Sequence, residues 1–136
     1  MAVGDDIGIV ERFAEALDHE DYGAARALLH DACVYLLRGE RIEGGSGVVA
    51  SYQGNGDEAG RRFDSIAYGS GVRSGEDGRV VIEFWDEITH RGRVHRHRCE
   101  QWVRVEGGVI VEIEHRDLEG EFERLEGFKK WCYGEA

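Results

Sequence analysis

Apolar positions along the chain change their period once, near residue 63, and the change divides the sequence into two styles. In the run IGIVERFAEAL, Val10, Phe13, Ala14 and Leu17 recur at helical spacing with Glu11, Arg12 and Glu15 elsewhere on the wheel. That predicts an amphipathic first helix beginning at Asp5 or Asp6. Asp18 and Asp21 bracket a polar break, after which Asp21 can cap a short second helix carrying Ala25, Leu28 and Leu29. The β-favouring run Cys33-Val34-Tyr35-Leu36-Leu37, stopped by the glycine-punctuated RGERIEGG, predicts the first strand. Ser46 can cap a third helix with Val48, Val49 and Tyr52, whose far end the glycines of GNGDEAG weaken.

From Phe63 the period is 2, which predicts four strands over about 63–73, 79–90, 94–105 and 109–118, with EDG, RGR and EGG as turns. In VHRHRCEQWVRV, His95, His97, Cys99, Gln101, Val103 and Val105 share one face; the arginine-rich opposite face must be the outer one. Phe84, Asp86 and Ile88 in the preceding strand, and Ile113, His115 and Asp117 in the following one, join the inner face. A two-residue turn at Gly92-Arg93 would set Glu87 opposite Arg98, His90 opposite His95 and Asp86 opposite Cys99. A three-residue turn at Glu106-Gly107-Gly108 would set Cys99 opposite His115 and His97 opposite Asp117; a two-residue turn there would bury Glu112 and Glu114. Three helices then cover the inner face of a strongly bent sheet. EFERLEGFKKWCY reads as a helix broken at Gly127, a lid or docking tail.

Length and charge narrow the class. With 136 residues, 41% of them hydrophobic, the chain is expected to form one folded domain over 1–136, with 119–136 as its C-terminal tail or lid. A formal net charge of −11 disfavours a nucleic-acid partner, which needs clustered Lys and Arg. There is no apolar run of membrane-spanning length and no leader-like start, so a cytoplasmic protein without a membrane partner is expected. Cys33, Cys99 and Cys132 are odd in number and widely spaced, which predicts reduced thiols. The 20 Gly fit a chain of hairpins; the absence of Pro has no such reason.

The inner face gathers Asp86, His95, His97, His115 and Asp117 beside an apolar end. A buried carboxylate is costly unless paired, so these residues point to a solvated pocket or a hydrogen-bonded pair. A carboxylate that fixes a histidine tautomer makes a general base near neutral pH. The plainer alternative is that the histidines only satisfy hydrogen bonds at the rim of the sheet. Cys99 faces the same cavity and reads as a small apolar filler before a nucleophile. His95-Arg-His97 with His115 and Asp117 could serve a metal, the lesser reading, and no metal or cofactor is expected. His19 and His30 read as surface groups. No nucleotide-binding glycine motif stands between a strand and a helix.

In order, helix, helix, strand, helix and four long strands ending in EIEHRDL resemble the nuclear transport factor 2-like superfamily, and most of all its SnoaL-like branch. IVERFAEALDHEDYGAARALLHDACVYL, GGSGVVASY and RVEGGVIVEIEHRDL carry the resemblance, within residues 5–120. It implies an α+β, cone-shaped fold, with three N-terminal helices on the concave face of a strongly bent, mostly antiparallel sheet. Members include ketosteroid isomerases, polyketide cyclases, scytalone dehydratase, limonene epoxide hydrolase and non-catalytic binding modules, so the fold leaves function open. The isomerase pattern fails here: Leu36 stands in place of its base, Phe13 of its tyrosine and Gln101 of its second aspartate. Arg116-Asp117-Leu118 partly matches the hydrolase's Arg-Asp-aromatic and would make Asp117 its acid or base, while Trp85-Asp86-Glu87 lacks the arginine of its Arg-x-Asp. The cyclase and dehydratase branches use His and Asp on neighbouring strands, similar to His97 or His115 with Asp117; the dehydratase's aspartate on the first helix is not evident.

The expectation is therefore a small cofactor-independent SnoaL-like enzyme acting on a hydrophobic small molecule. In it His97 is the base oriented by Asp117, with His115 and Asp86 as relays. Phe13, Leu36, Tyr52, Phe84, His95, Cys99 and Gln101 would line the pocket, with Tyr35 at its rim. A non-catalytic binding or assembly module is the alternative. Trp85 and Trp102, projecting from the outer face, suggest a homodimer interface, and the resemblance points the same way.

Overall fold

Asp21 acts as the cap its position predicts. Its carboxylate accepts the Ala24 amide at 3.1 Å and starts the second helix. The computed structural model, which describes residues 3–133, places this helix in the order α1 (Val3–Asp18), α2 (Tyr22–Ala27), β1 (Leu29–Leu37), β2 (Glu40–Glu43), α3 (Gly45–Arg62), β3 (Ser65–Ser74), β4 (Val80–His90), β5 (Arg93–Glu106), β6 (Val109–Asp117) and α4 (Glu121–Cys132). The six strands form one sheet in the order β2-β1-β6-β5-β4-β3, antiparallel except for the β1–β6 pair. The architecture is the expected α+β one, a bent, unclosed sheet with helices on its inner face.

The apolar stripe of α1 forms the centre of the main core. Val10, Phe13 and Ala14 bury against Val48 of α3 and against Ile82, Val103, Ile110 and Ile113 of the sheet. A second, smaller core of Phe63, Ile88, Phe128 and Cys132 closes the other end under α4. A space remains between the two cores.

Several boundaries depart from the sequence reading. RGERIEGG is more than a stop signal: Glu40–Glu43 turns back on β1 as a hairpin. The third helix begins after Gly44 and runs unbroken to Arg62. At Gly56 packing favours a small residue, since a Cβ there would stand 2.9 Å from the Tyr22 hydroxyl, whereas Gly54 and Gly60 face open space. α4 likewise continues through Gly127, and residues 134–136 of the expected tail lie outside the described residues.

The hairpin registers differ from expectation in an instructive way. The β4–β5 turn is Arg91-Gly92, with φ of 49° and 77°, the double positive φ that favours the tight twist of a two-residue hairpin. It pairs Asp86 with His97, Phe84 with Cys99, Glu87 with Arg96 and Ile88 with His95, so the pairings Asp86–Cys99, Glu87–Arg98 and His90–His95 are corrected. The β5–β6 turn is also of two residues, Gly107-Gly108. The strand avoids burying Glu112 and Glu114 by a bulge: Val105 pairs with Ile110 but Arg104 with Glu112, leaving Val111 unpaired. The polarity argument therefore holds through a different device. It sets Gln101 opposite His115 and Cys99 opposite Asp117, replacing the expected Cys99–His115 and His97–Asp117 pairs.

The outer face also needs correction. Trp102 is only 9% exposed, covered by the guanidinium groups of Arg116, Arg79 and Arg73 at 4.1, 5.0 and 5.9 Å from its ring centroids. Trp85 lies over its cross-strand neighbour Gly69, with Arg96 on its ring. Trp102 is thus covered by its own chain, whereas Trp85 remains half-buried, so of the two only Trp85 leaves apolar surface on the face where a dimer interface was expected.

Candidate active site

The registers turn the inner face into transverse rows. Tyr68, Asp86 and His97 stand side by side on β3, β4 and β5; Ser70, Phe84, Cys99 and Asp117 form the next row, and Val72, Ile82, Gln101 and His115 the one deeper. A cavity of about 300 Å³ opens over them, between the two cores. That is the lower end of the size range of small-molecule sites.

One wall is a continuous hydrogen-bond network. Arg38, at the β1–β2 turn, donates through Nε and Nη2 to the two oxygens of Asp117 at 2.7 and 2.8 Å. Those bonds hold the Asp117 carboxyl at a pKa of about 2, and His115 Nε2 lies 2.9 Å from the same group. Burial lowers the pKa of His115, so the imidazole is neutral. Facing an ionised carboxylate, its Nε2 must carry the proton, which leaves Nδ1 as an acceptor. Gln101 supplies the donor: its Nε2 is 3.3 Å from His115 Nδ1 and 2.9 Å from Tyr35 Oη, while its Oε1 accepts the Tyr52 hydroxyl at 2.5 Å. Tyr35 and Tyr52 stack at 5.1 Å between ring centroids.

The opposite wall has no such closure. Asp86 sits in the cavity with no hydrogen bond to raise its acidity; burial, and then the nearby Asp18 charge, push its carboxyl up to about 6. Asp18, at the end of α1, accepts the Ser70 hydroxyl at 2.6 Å and is itself raised by burial. His97, 6% exposed, has no partner for Nδ1, and burial lowers its pKa. The Tyr68 phenol, pushed up to about 12 by burial and by Asp86, keeps its proton. Cys99, also pushed up to about 12, is a protonated filler and a poor nucleophile.

Seven of the expected site residues line the cavity: Asp86, His97, His115, Tyr52, Phe84, Cys99 and Gln101. Four do not. Asp117 belongs with Arg38 and His115 rather than with His97. Phe13 is buried in the core behind Tyr52, 5.8 Å away edge-on. Leu36 pairs with Arg41 and Glu114 and so shares the outer side of its strand, Tyr35 and Leu37 taking the cavity. His95 stacks on Phe128 at 5.0 Å. Among the described residues no group of three or more His, Cys, Asp or Glu is placed to hold a metal, and the set His95, His97, His115 and Asp117 is not brought together.

Sequence reading missed Arg38, Asp18, Tyr22 and Tyr68, and put the deeply buried Tyr35 at the rim. A signal for Arg38 existed: Arg38-Gly39 between two β-favouring runs repeats the Arg91-Gly92 dipeptide that closes β4–β5. The first helix does contribute an aspartate, Asp18.

Solved structures share this fold. A candidate polyketide cyclase from Xanthomonas campestris superposes with a TM-score of 0.68 at 19% identity, covering 88% of this chain and 94% of the other. An epoxide hydrolase of the LEH-like type from M. tuberculosis gives 0.65 at 24% identity over 96% and 97%. A nuclear transport factor 2-like protein of unknown function from Exiguobacterium gives 0.61 at 14% identity over 82% and 98%. The chain has the nuclear transport factor 2-like fold. No family model matches the sequence, and no curated protein matches it. A nuclear transport factor 2-like fold hosts unrelated activities, so the side chains of the cavity have to carry any functional argument.

Proposed function

We propose that the chain is a small cofactor-independent enzyme that acts on a hydrophobic small molecule by general acid–base chemistry, with Asp86 as the group that moves the proton. One observation carries this reading: a carboxyl buried in the cavity beside Phe84 and Ile88, unbonded, with its pKa near 6. Such a group exchanges its proton at physiological pH, whereas an ordinary surface aspartate is fully ionised. His97, directly across the ladder and neutral, is the partner that accepts or returns the proton; Tyr68 in the same row donates a hydrogen bond to a substrate oxygen. The base role expected of His97 with Asp117 thus passes to Asp86 with His97. His115 and Asp117 become positioning residues that orient Gln101 and the two tyrosines. The solved neighbours described as a polyketide cyclase and an epoxide hydrolase are consistent with acid–base work on uncharged substrates.

The test is turnover of two probe substrates, a hydrophobic epoxide and an enolisable aromatic β-dicarbonyl, by the native protein and by Asp86→Asn. A loss of about 10²–10⁴-fold in kcat with an unchanged circular dichroism spectrum is expected. Equal turnover by the variant overturns the assignment. Binding of both probes without turnover by the native protein selects the non-catalytic module.

A further inference from the structure

The open end of the cavity differs chemically from the rest of the surface. Val94, Trp131 and Tyr133, 57%, 37% and 37% exposed, are the exposed large hydrophobics among the described residues. Two of them belong to this end together with the C-terminus of α3 and the β4–β5 turn: Arg93 and Arg91 lie over the Trp131 ring at 4.8 and 5.7 Å, and Arg62 lies over Tyr133 at 4.9 Å. Val94 follows Arg93 directly on β5. Arg61, Arg62, Arg91, Arg93, Lys129 and Lys130 belong to these elements, and among the described residues Glu58 pairs with Arg62 at 3.0 Å, Glu126 with Lys129 at 3.8 Å, and Asp64 accepts the Arg91 amide, which leaves a cationic excess in a chain whose formal net charge is −11. Arg62, Lys129 and Tyr133 also line the cavity, so this rim is its mouth.

We propose that the rim is a docking surface for an anionic lipid bilayer. Aromatic rings interleaved with Arg and Lys suit the headgroup layer, where rings sit at the apolar boundary and the cations meet lipid phosphates. The net acidity of the chain does not cancel this attraction. The β5–β6 turn lies about 40 Å from Arg93 along a fourteen-residue strand rising about 3.3 Å per residue. A Debye length of about 8 Å at physiological ionic strength screens that end. No helix among the described residues is long and apolar enough to cross a membrane, so the contact is peripheral. The expectation of no membrane partner rested on spans and does not address a surface contact. Docked in this pose, the mouth opens onto the bilayer, and an apolar ligand reaches the cavity without crossing water. The docking surface stands or falls independently of catalysis at Asp86.

The full chain is sedimented with vesicles of phosphatidylcholine alone and with vesicles containing an equal part of phosphatidylglycerol. Salt-sensitive partitioning into the mixed vesicles is expected, with a blue shift of emission that Trp131→Phe removes. Each rim cation contributes about fivefold, so Arg61→Glu with Lys130→Glu, both at exposed positions, lowers partitioning by about 25-fold or more. No partitioning at low salt, equal affinity for the two vesicles, or an undiminished charge-reversed protein overturns the proposal. So does capture by an acidic polypeptide such as polyglutamate in the absence of vesicle binding, which would assign the rim to a protein partner.

Discussion

Asp117 and Asp86 are carboxylates on β6 and β4, the two strands that flank β5, in adjacent rows of the inner face, yet their surroundings drive them in opposite directions. Arg38 and His115 saturate Asp117 with donors and hold it near 2; nothing donates to Asp86, and burial lifts it to about 6. Proximity to a pocket does not decide which carboxylate does chemistry. Donor supply does: the satisfied carboxylate is fixed in one charge state and serves as structure, and the unsatisfied one is free to exchange a proton.

The contrast can be broken from either side. Gln101→Leu removes the amide that serves Tyr35, Tyr52 and His115 together, leaving buried polar groups unpaired; a loss of about 3 kcal/mol in urea unfolding is expected. A near-neutral result would show that the network is not a unit. Asp86→Asn acts in the other direction and raises stability at pH 7 by about 2 kcal/mol. The folded carboxyl keeps its proton up to about pH 6 and the unfolded one releases it near 3.8, so native stability falls as pH rises through that window. The gain in the variant must therefore fade on acidification and vanish below about pH 4; a pH-independent gain would point to packing instead. A protein that becomes sturdier as it loses turnover would illustrate strain kept for function.

Smaller effects sharpen the same comparison. Arg38→Met removes the main donor to Asp117, and the carboxyl, followed by NMR, moves up from about 2 toward its ordinary value. Because the pair is partly solvated, the stability cost is about 1 kcal/mol at neutral pH and is lost as pH falls through the native pKa. His97 and His115, both lowered by burial, add a gentle acid sensitivity of the same sign: stability decreases as pH drops below about 6.5, because the unfolded chain takes up their protons first.

The faces of the strands were legible because period 2 and the cost of burying charge act locally. They placed Asp86, His97, Cys99, Gln101 and His115 in the cavity without knowledge of the turns. Who stands opposite whom was not legible, since it depends on turn type. Arg91-Gly92 takes the double positive φ usually associated with Asn-Gly, and the shift by one residue at that turn moves Asp86 from Cys99 to His97. Arg38 was missed with the hairpin that carries it, and Asp18 and Tyr68 were missed because only the packing of α1 over β3 and β4 brings their elements together.

Val111, the unpaired residue of β6, has no chemistry of its own, yet it sets the chemistry of its neighbours. Were Val111 to pair with Arg104 instead, strict alternation from the Gly107-Gly108 turn would send Glu112, Glu114 and Arg116 inward and His115 and Asp117 to the outside. One sequence thus holds either an imidazole wall or an acidic one according to a slip of a single residue, and the cost of burying those charges selects the first.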